Sequence, residues 1–301
     1  MRKSAPVVVQ FTGFVATALA LAACDITIGA AEYSVREEKK FTVSGPVQLA
    51  VSTFDGSIEI RGWDRDEVVV EVERTGPDQK TVDRIQVKAT QTGNAITVDV
   101  QKPSPLETTG MRRMPSANLV VSVPLKTAVV ARSGDGSIEV RRVNGKLELE
   151  TDDGGVRVEE IVGDLTVRTG DGHVYGRKVD GQVEVHTGDG TIGLDGVLTG
   201  VKVETRDGAV DVTARPGSRT DGEWEVTTGD GDVRVEVPQG FGAEIDARTG
   251  DGRVRVDSIT GAADAKKDER EDRDSVTGTL GGGGKALRLR TSSGSITVKL
   301  W

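Results

Sequence analysis

The sequence predicts an all-β chain, a parallel β-solenoid or β-helix-like stack of coils of about 18 residues, with an N-terminal region that contains a hairpin. Three observations carry that prediction. A tetrapeptide of the form Thr-x-Asp-Gly recurs along the chain. Its closing glycines keep a constant step through the middle. Between turns, apolar and polar residues alternate with the two-residue period of a strand.

The units are TFDG (53–56), SGDG (133–136), TDDG (151–154), TGDG (169–172 and 187–190), TRDG (205–208), TGDG (228–231 and 249–252) and TSSG (291–294). Gly136, Gly154, Gly172, Gly190 and Gly208 are spaced by 18 residues without a slip, and the following steps are 23, 21 and 42. Leu147, Leu149 and Thr151 share one face before a turn, and Val156 and Val158 return to it afterwards. The next coils repeat this with Leu165, Val167 and Thr169, then Val183, Val185 and Thr187. One coil cannot bury such a face alone; stacking gives a continuous thin core. In that register Glu150 lies beside Arg168 and Glu184 beside Lys202, pairs worth about 0.2–1 kcal/mol each.

The elements follow in order. Residues 1–23 read as a lipoprotein signal peptide: Arg2 and Lys3, an apolar run, then the lipobox-like LAAC that ends at Cys24, the only cysteine. Cys24 is therefore the expected lipidation site and the expected link to a membrane, with an uncleaved anchor or an ordinary secretory signal as alternatives. Residues 24–32 read as a tether. Residues 33–116 read as an N-terminal β region holding the first repeat, a hairpin built from 66–74 and 94–101, a short helix near 78–86, and a Pro-containing loop over 102–116. Regular coils fill 117–262, a charged and Gly-rich loop fills 263–284, and a capping coil fills 285–301, with Trp301 placed to cover an open end.

The repeated acid has two readings. Asp-Gly suits a turn that needs positive φ, and the threonine hydroxyl can cap it. Alternatively Asp135, Asp153, Asp171, Asp189 and Asp207 form a calcium ladder, although the motif has a lower glycine density and a longer period than calcium-loaded β-rolls. Turn chemistry is the simpler account, and no resident metal or cofactor is expected.

Without residues 1–23 the 39 basic residues fall by Arg2 and Lys3 to 37 against 48 acidic ones, a net −11. Such a balance disfavours nucleic acid as a partner. His173 and His186 are far apart and read as surface residues; Trp63 and Trp224 could serve as sugar platforms, with Trp224 at core parity. An enzymatic alternative, a lyase or hydrolase on acidic glycans, would place its groove at the insertions near 214–223 (Arg215, Arg219, Asp221, Glu223) or 262–280.

The segments GSIEIRGWDRDEVVVEVE (56–73), NLVVSVPLKTAVVARSGDGSIEV (118–140), LRLRTSSGSITV (287–298) and the TGDG turns together resemble the putative-adhesin family of bacterial envelope proteins with β-strand repeats. The resemblance covers most of 33–301. It implies a surface-binding role in the cell envelope, with envelope-stress responses as a second implication, and brings no catalytic residues. The expectation is a non-enzymatic, lipid-anchored, extracytoplasmic scaffold that contacts an envelope protein or glycan.

Overall fold

Alternating Val, Leu and Ile with Glu, Arg and Thr makes strands wherever the turn motif releases the chain, and a computed structural model describes residues 24–29, 32–103, 114–257, 259–260 and 274–301. Among these lie twenty-four strands and one short helix. The N-terminal part holds β1 (Cys24–Gly29), β2 (Glu32–Thr42), β3 (Val47–Thr53), β4 (Ile58–Trp63), β5 (Glu67–Gly76), α1 (Gln79–Val82), β6 (Gln86–Thr92), β7 (Ala95–Gln101) and β8 (Ser116–Pro124). The middle holds β9 (Thr127–Ser133), β10 (Ile138–Asn144), β11 (Leu147–Thr151), β12 (Val156–Val162), β13 (Leu165–Thr169), β14 (Val174–Thr187), β15 (Ile192–Asp207), β16 (Val210–Ala214), β17 (Trp224–Asp230) and β18 (Val233–Val237). The C-terminal part holds β19 (Ala243–Asp251), β20 (Val254–Val256), β21 (Ile259–Thr260), β22 (Ser275–Leu280), β23 (Ala286–Ser293) and β24 (Ile296–Leu300).

Two parallel ladders organise these strands. The strands before the turns pair in the order β7-β3-β9-β11-β13-β14-β15-β17-β23-β19. Those after the turns pair as β8-β4-β10-β12-β14-β15-β16-β18-β24-β20. Ten tiers at strand spacing make a stack roughly 43 Å tall. Both ladders bury their inward rows in one core, from Ile58 and Leu119 through Leu147 and Val167 to Trp224 and Ile296. Within β10, β12 and β14, Arg142, Glu160 and Lys178 take positive φ (58, 57 and 54°) and flip the parity, so Val143, Ile161 and Val179 point back into the core.

The turn motif does two jobs between tiers. The hydroxyl of Thr151 donates to Gly136 O at 2.9 Å, Thr169 to Gly154 O at 2.9 Å, and Thr187 to Gly172 O at 3.1 Å. The same hydroxyls of Thr151 and Thr169 accept from Gly154 N and Gly172 N, both at 3.2 Å. The closing glycines stand edge to edge: a Cβ on Gly154, Gly172 or Gly190 would come within 3.0 Å of the carbonyl oxygen of Gly136, Gly154 or Gly172. Glycine is required there because backbones approach too closely for any side chain.

Several expectations are corrected. The parallel stack holds for the ten tiers only; β1, β2, β5 and β8 form an antiparallel run, as do β6 with β7 and β22 with β19 and β21. The hairpin is β6–β7, turning at Gly93 and Asn94, whereas β5 pairs with β2 and β8. Part of the stretch read as a tether is a strand, since Cys24–Gly29 pairs with β2. Part of the stretch read as a charged loop is β22. The short helix forms, capped by the Asp78 side chain accepting from Thr81 N at 2.8 Å. The signal peptide (1–23), most of the Pro-containing loop and the charged run lie outside the described residues.

The tier order departs most from expectation. The coil over 285–301 is not the last tier, because β23 and β24 lie between β17/β18 and β19/β20. Likewise the first repeat, β3/β4, lies inside β7/β8. The hydroxyl column repeats this order: Thr291 donates to Gly231 O at 3.0 Å and Thr249 to Gly294 O at 2.8 Å. Trp301 therefore covers no open end; its amide bonds Val237 O at 3.2 Å and its half-exposed ring sits beside Pro216, Pro238 and Phe241.

Candidate binding faces

Each tier leaves its outward row on one of two long sheet faces. On the first ladder, parallel register aligns Arg132, Glu150, Arg168, His186, Glu204 and Thr227 in one column. A shallow groove of about 690 Å³ follows this column, with Asp152 and Arg206 on its flank. Its charges largely satisfy one another. Arg132 bonds Glu150 at 3.0 Å, and Arg206 bonds Asp189 at 2.7 Å. His186 lies between Glu184 (2.9 Å) and Glu204 (3.3 Å), and its hydrogen bond holds the Glu184 carboxyl below its ordinary value. The expected Glu184–Lys202 neighbours lie 3.7 Å apart. Glu150 does neighbour Arg168 in register, while its close ion pair is with Arg132 on the other side.

On the second ladder the outward columns are Glu139-Arg157-Tyr175-Gly193-Asp211 and Arg141-Glu159-Arg177-Asp195-Thr213. Here a notch of about 410 Å³ opens around Tyr175, a tyrosine that is 42% exposed. Arg157 places its guanidinium 5.9 Å from the ring centroid, and the His173 ring lies 6.3 Å away. On the other side Gly193 has no side chain, and a Cβ there would come 3.1 Å from the ring. Asp195 Oδ2 bonds Arg215 at 2.8 Å, but its buried Oδ1 finds no hydrogen-bond partner among the described residues. An orphaned acceptor of this kind costs about 1–3 kcal/mol.

The residues singled out from sequence fall as follows. Gly136, Gly154, Gly172, Gly190 and Gly208 line one edge of the stack. Asp135, Asp153, Asp171, Asp189 and Asp207 are exposed along that edge. Asp189 is engaged by Arg206, and among the described residues no group of three or more His, Cys, Asp or Glu side chains could hold a metal ion. Asp55 is half-buried, and burial first, then the Asp135 charge, raises its carboxyl above the ordinary value. His173 accepts from Thr191 N at 3.0 Å, 18 residues on. Trp224 is fully buried, edge-on to Phe241 at 5.1 Å, and Trp63 donates to Glu67 O at 2.9 Å beneath the Arg65 guanidinium.

The insertion after β16 does not converge: Arg215 turns to Asp195, Arg219 to Asp221, and Glu223 to Arg288. Residues 261–273 of the second insertion lie outside the described residues. Sequence reasoning missed Tyr175. The signal was present, because Tyr175 has outward parity and the residue 18 positions on is a glycine, a bare floor beside an aromatic ring. Among the described residues no helix is long and apolar enough to cross a membrane.

The profile of the Toastrack DUF4097 family matches residues 47–299, and the chain belongs to that family. No curated protein matches the chain. Among solved structures it is similar to a putative adhesin from Bacteroides fragilis, with 12% identity over 88% of this chain and 97% of that one and a TM-score of 0.43. It is similar to a putative cell adhesion protein from Clostridium sporogenes, with 12% identity over 88% of this chain and 100% of that one and a TM-score of 0.30. It is also similar to a putative lipid binding protein from Parabacteroides distasonis, with 11% identity over 88% of this chain and 96% of that one and a TM-score of 0.37.

Proposed function

We propose that this chain is a non-enzymatic binding scaffold of the bacterial cell envelope, lipid-anchored at Cys24, whose outer sheet faces hold an envelope protein or glycan. The carrying observation is the pair of outward faces themselves: ten parallel tiers keep side chains in straight columns, and one face opens a notch around Tyr175. Stacked repeats give extended surfaces of this kind, on which many weak contacts add along a long partner. The resemblance stated for the 56–73, 118–140 and 287–298 segments supports the same reading.

Anchoring fits the same picture. Cys24 begins β1, which pairs with β2 at the N-terminal end of the stack, so a lipid there would hold that end next to the membrane and leave the C-terminal tiers distal. The test uses full-length protein in detergent, incubated with isolated envelopes and with a panel of envelope polysaccharides. Saturable binding with every polysaccharide recovered intact is expected. Enzymatic turnover of any polysaccharide, or no binding to envelopes, would overturn the proposal.

A further inference from the structure

The Tyr175 notch has a chemistry that narrows what it can hold. Its floor is flat because Gly193 removes one outward side chain and the tyrosine ring lies over the gap. Its rim alternates acceptors and donors. Asp195 and Asp211 supply carboxylates, Thr213 a hydroxyl, and Arg157 and Arg177 guanidinium groups. Two of these four charged groups are already engaged: Arg177 with Glu159, and Asp195 Oδ2 with Arg215 through both its Nε and its terminal nitrogen. Beside the open aromatic face this leaves the Asp211 carboxylate and the Arg157 guanidinium lining the notch.

From this we infer that the notch is a subsite for a neutral pyranose unit of a saccharide chain. The inference rests on the binding-scaffold reading and names its ligand. A pyranose offers an apolar face of C–H groups to lie on the tyrosine and a ring of hydroxyls around it. Those hydroxyls donate to Asp211 and accept from Arg157. An acidic polymer gains no net attraction, because the carboxylates of Glu159, Asp195 and Asp211 are balanced by Arg157, Arg177 and Arg215. An extended peptide is recognised through unpaired backbone groups at a sheet edge, whereas Tyr175 lies on a face whose strand is paired on both sides.

The tier geometry adds a direction. A saccharide on Tyr175 runs either along the stack, over Arg157 and Glu139, or across it toward Arg177 and Asp195. Asp211 lies in the tyrosine's own column, beyond Gly193, so the hydroxyl that it takes points along the stack toward the C-terminal tiers.

Full-length protein in detergent is titrated with neutral hexose and N-acetylhexosamine oligosaccharides, a uronate oligosaccharide and an acidic peptide. Binding of at least one neutral oligosaccharide is expected, weakened about tenfold or more by Tyr175→Ala and kept within about threefold by Tyr175→Phe. Asp211→Asn, which turns one acceptor oxygen into an amide, weakens the same ligand. Melting temperatures of Tyr175→Ala and Tyr175→Phe stay at the parent value, because the side chain is exposed, and this separates a lost ligand from a lost fold. Failure of every neutral saccharide to bind, or Tyr175→Ala within about twofold of the parent, overturns the inference. Preference for the uronate or the peptide overturns it as well. If envelopes still bind saturably in that case, the scaffold proposal stands and only the ligand assignment falls.

Discussion

The centre of the stack and its two ends are built from the same repeat yet assembled by different rules. From Ser133 to Thr205 the chain climbs one tier per 18 residues, and sequence neighbours are spatial neighbours. At each end that equivalence breaks. The terminal repeat tucks inside its sequence neighbour, and antiparallel strands cover the outermost tier: β6 and β5 at one end, β22 at the other. The difference shows that the TxDG unit specifies a tier but not its place. Any unit with a buried hydroxyl and a bare glycine edge can stack on any other, while an uncovered strand edge has to be managed separately.

If the centre is held by close backbone approach, glycine substitution should separate the two regions most sharply. Gly172→Ala puts a Cβ against the Gly154 carbonyl and is expected to cost about 3 kcal/mol in thermal or denaturant unfolding. Gly282→Ala, in the turn before the last coil, meets nothing within 4 Å and should stay within about 0.5 kcal/mol of the parent. Equal effects at the two sites would erase the distinction.

The hydroxyl column gives a smaller effect. Thr187→Val keeps the shape and leaves the Gly170 and Gly172 carbonyls without this donor, at a cost of about 1–2 kcal/mol. Thr97→Val, on the exposed face of an end tier, should change stability by less than about 0.5 kcal/mol.

The smallest effects are electrostatic and opposite in sign. At the C-terminal end, burial pushes the Asp246 carboxyl up, but hydrogen bonds from Arg290 and Arg248 outweigh it and hold the group below the ordinary carboxylate value. Its contribution is therefore present above that value and lost as pH falls through the depressed folded value. Asp55 runs the other way: burial and Asp135 raise it, so its charge is a cost at neutral pH that protonation relieves. Asp246→Asn should lower the melting temperature at neutral pH and flatten its acid dependence, and Asp55→Asn should raise it slightly. Both changes correspond to at most about 1 kcal/mol at these partly exposed sites.

Much of this fold was legible because period-two alternation and a fixed step are local signals. Leu147, Leu149, Val156 and Val158 announce their burial by parity, and Gly154 announces its edge by its spacing. Tier order was not legible: β23 carries the same outward and inward rows as any other unit, so nothing in Leu287 or Thr291 says whether it caps the stack or enters it. The antiparallel partners of β5 were hidden for a related reason, since Val68, Val70 and Val72 face the core equally well in either direction. Tyr175 could have been found by placing each outward residue beside the one 18 positions on, whereas Trp224, at core parity in the sequence, is core.

Tier order is tested most directly by cysteine pairs in a Cys24→Ser background. Adjacent parallel strands lie about 4.8 Å apart, within disulfide reach, whereas strands two tiers apart lie at about twice that distance, beyond it. Glu225 and Asp246 each face Arg288 in register. The account predicts that Glu225→Cys crosslinks to Arg288→Cys, and Asp246→Cys to Arg288→Cys, while Glu225→Cys and Asp246→Cys do not join. A rapid 225–246 disulfide, with none to position 288, would contradict the inserted C-terminal coil and the tier order built on it.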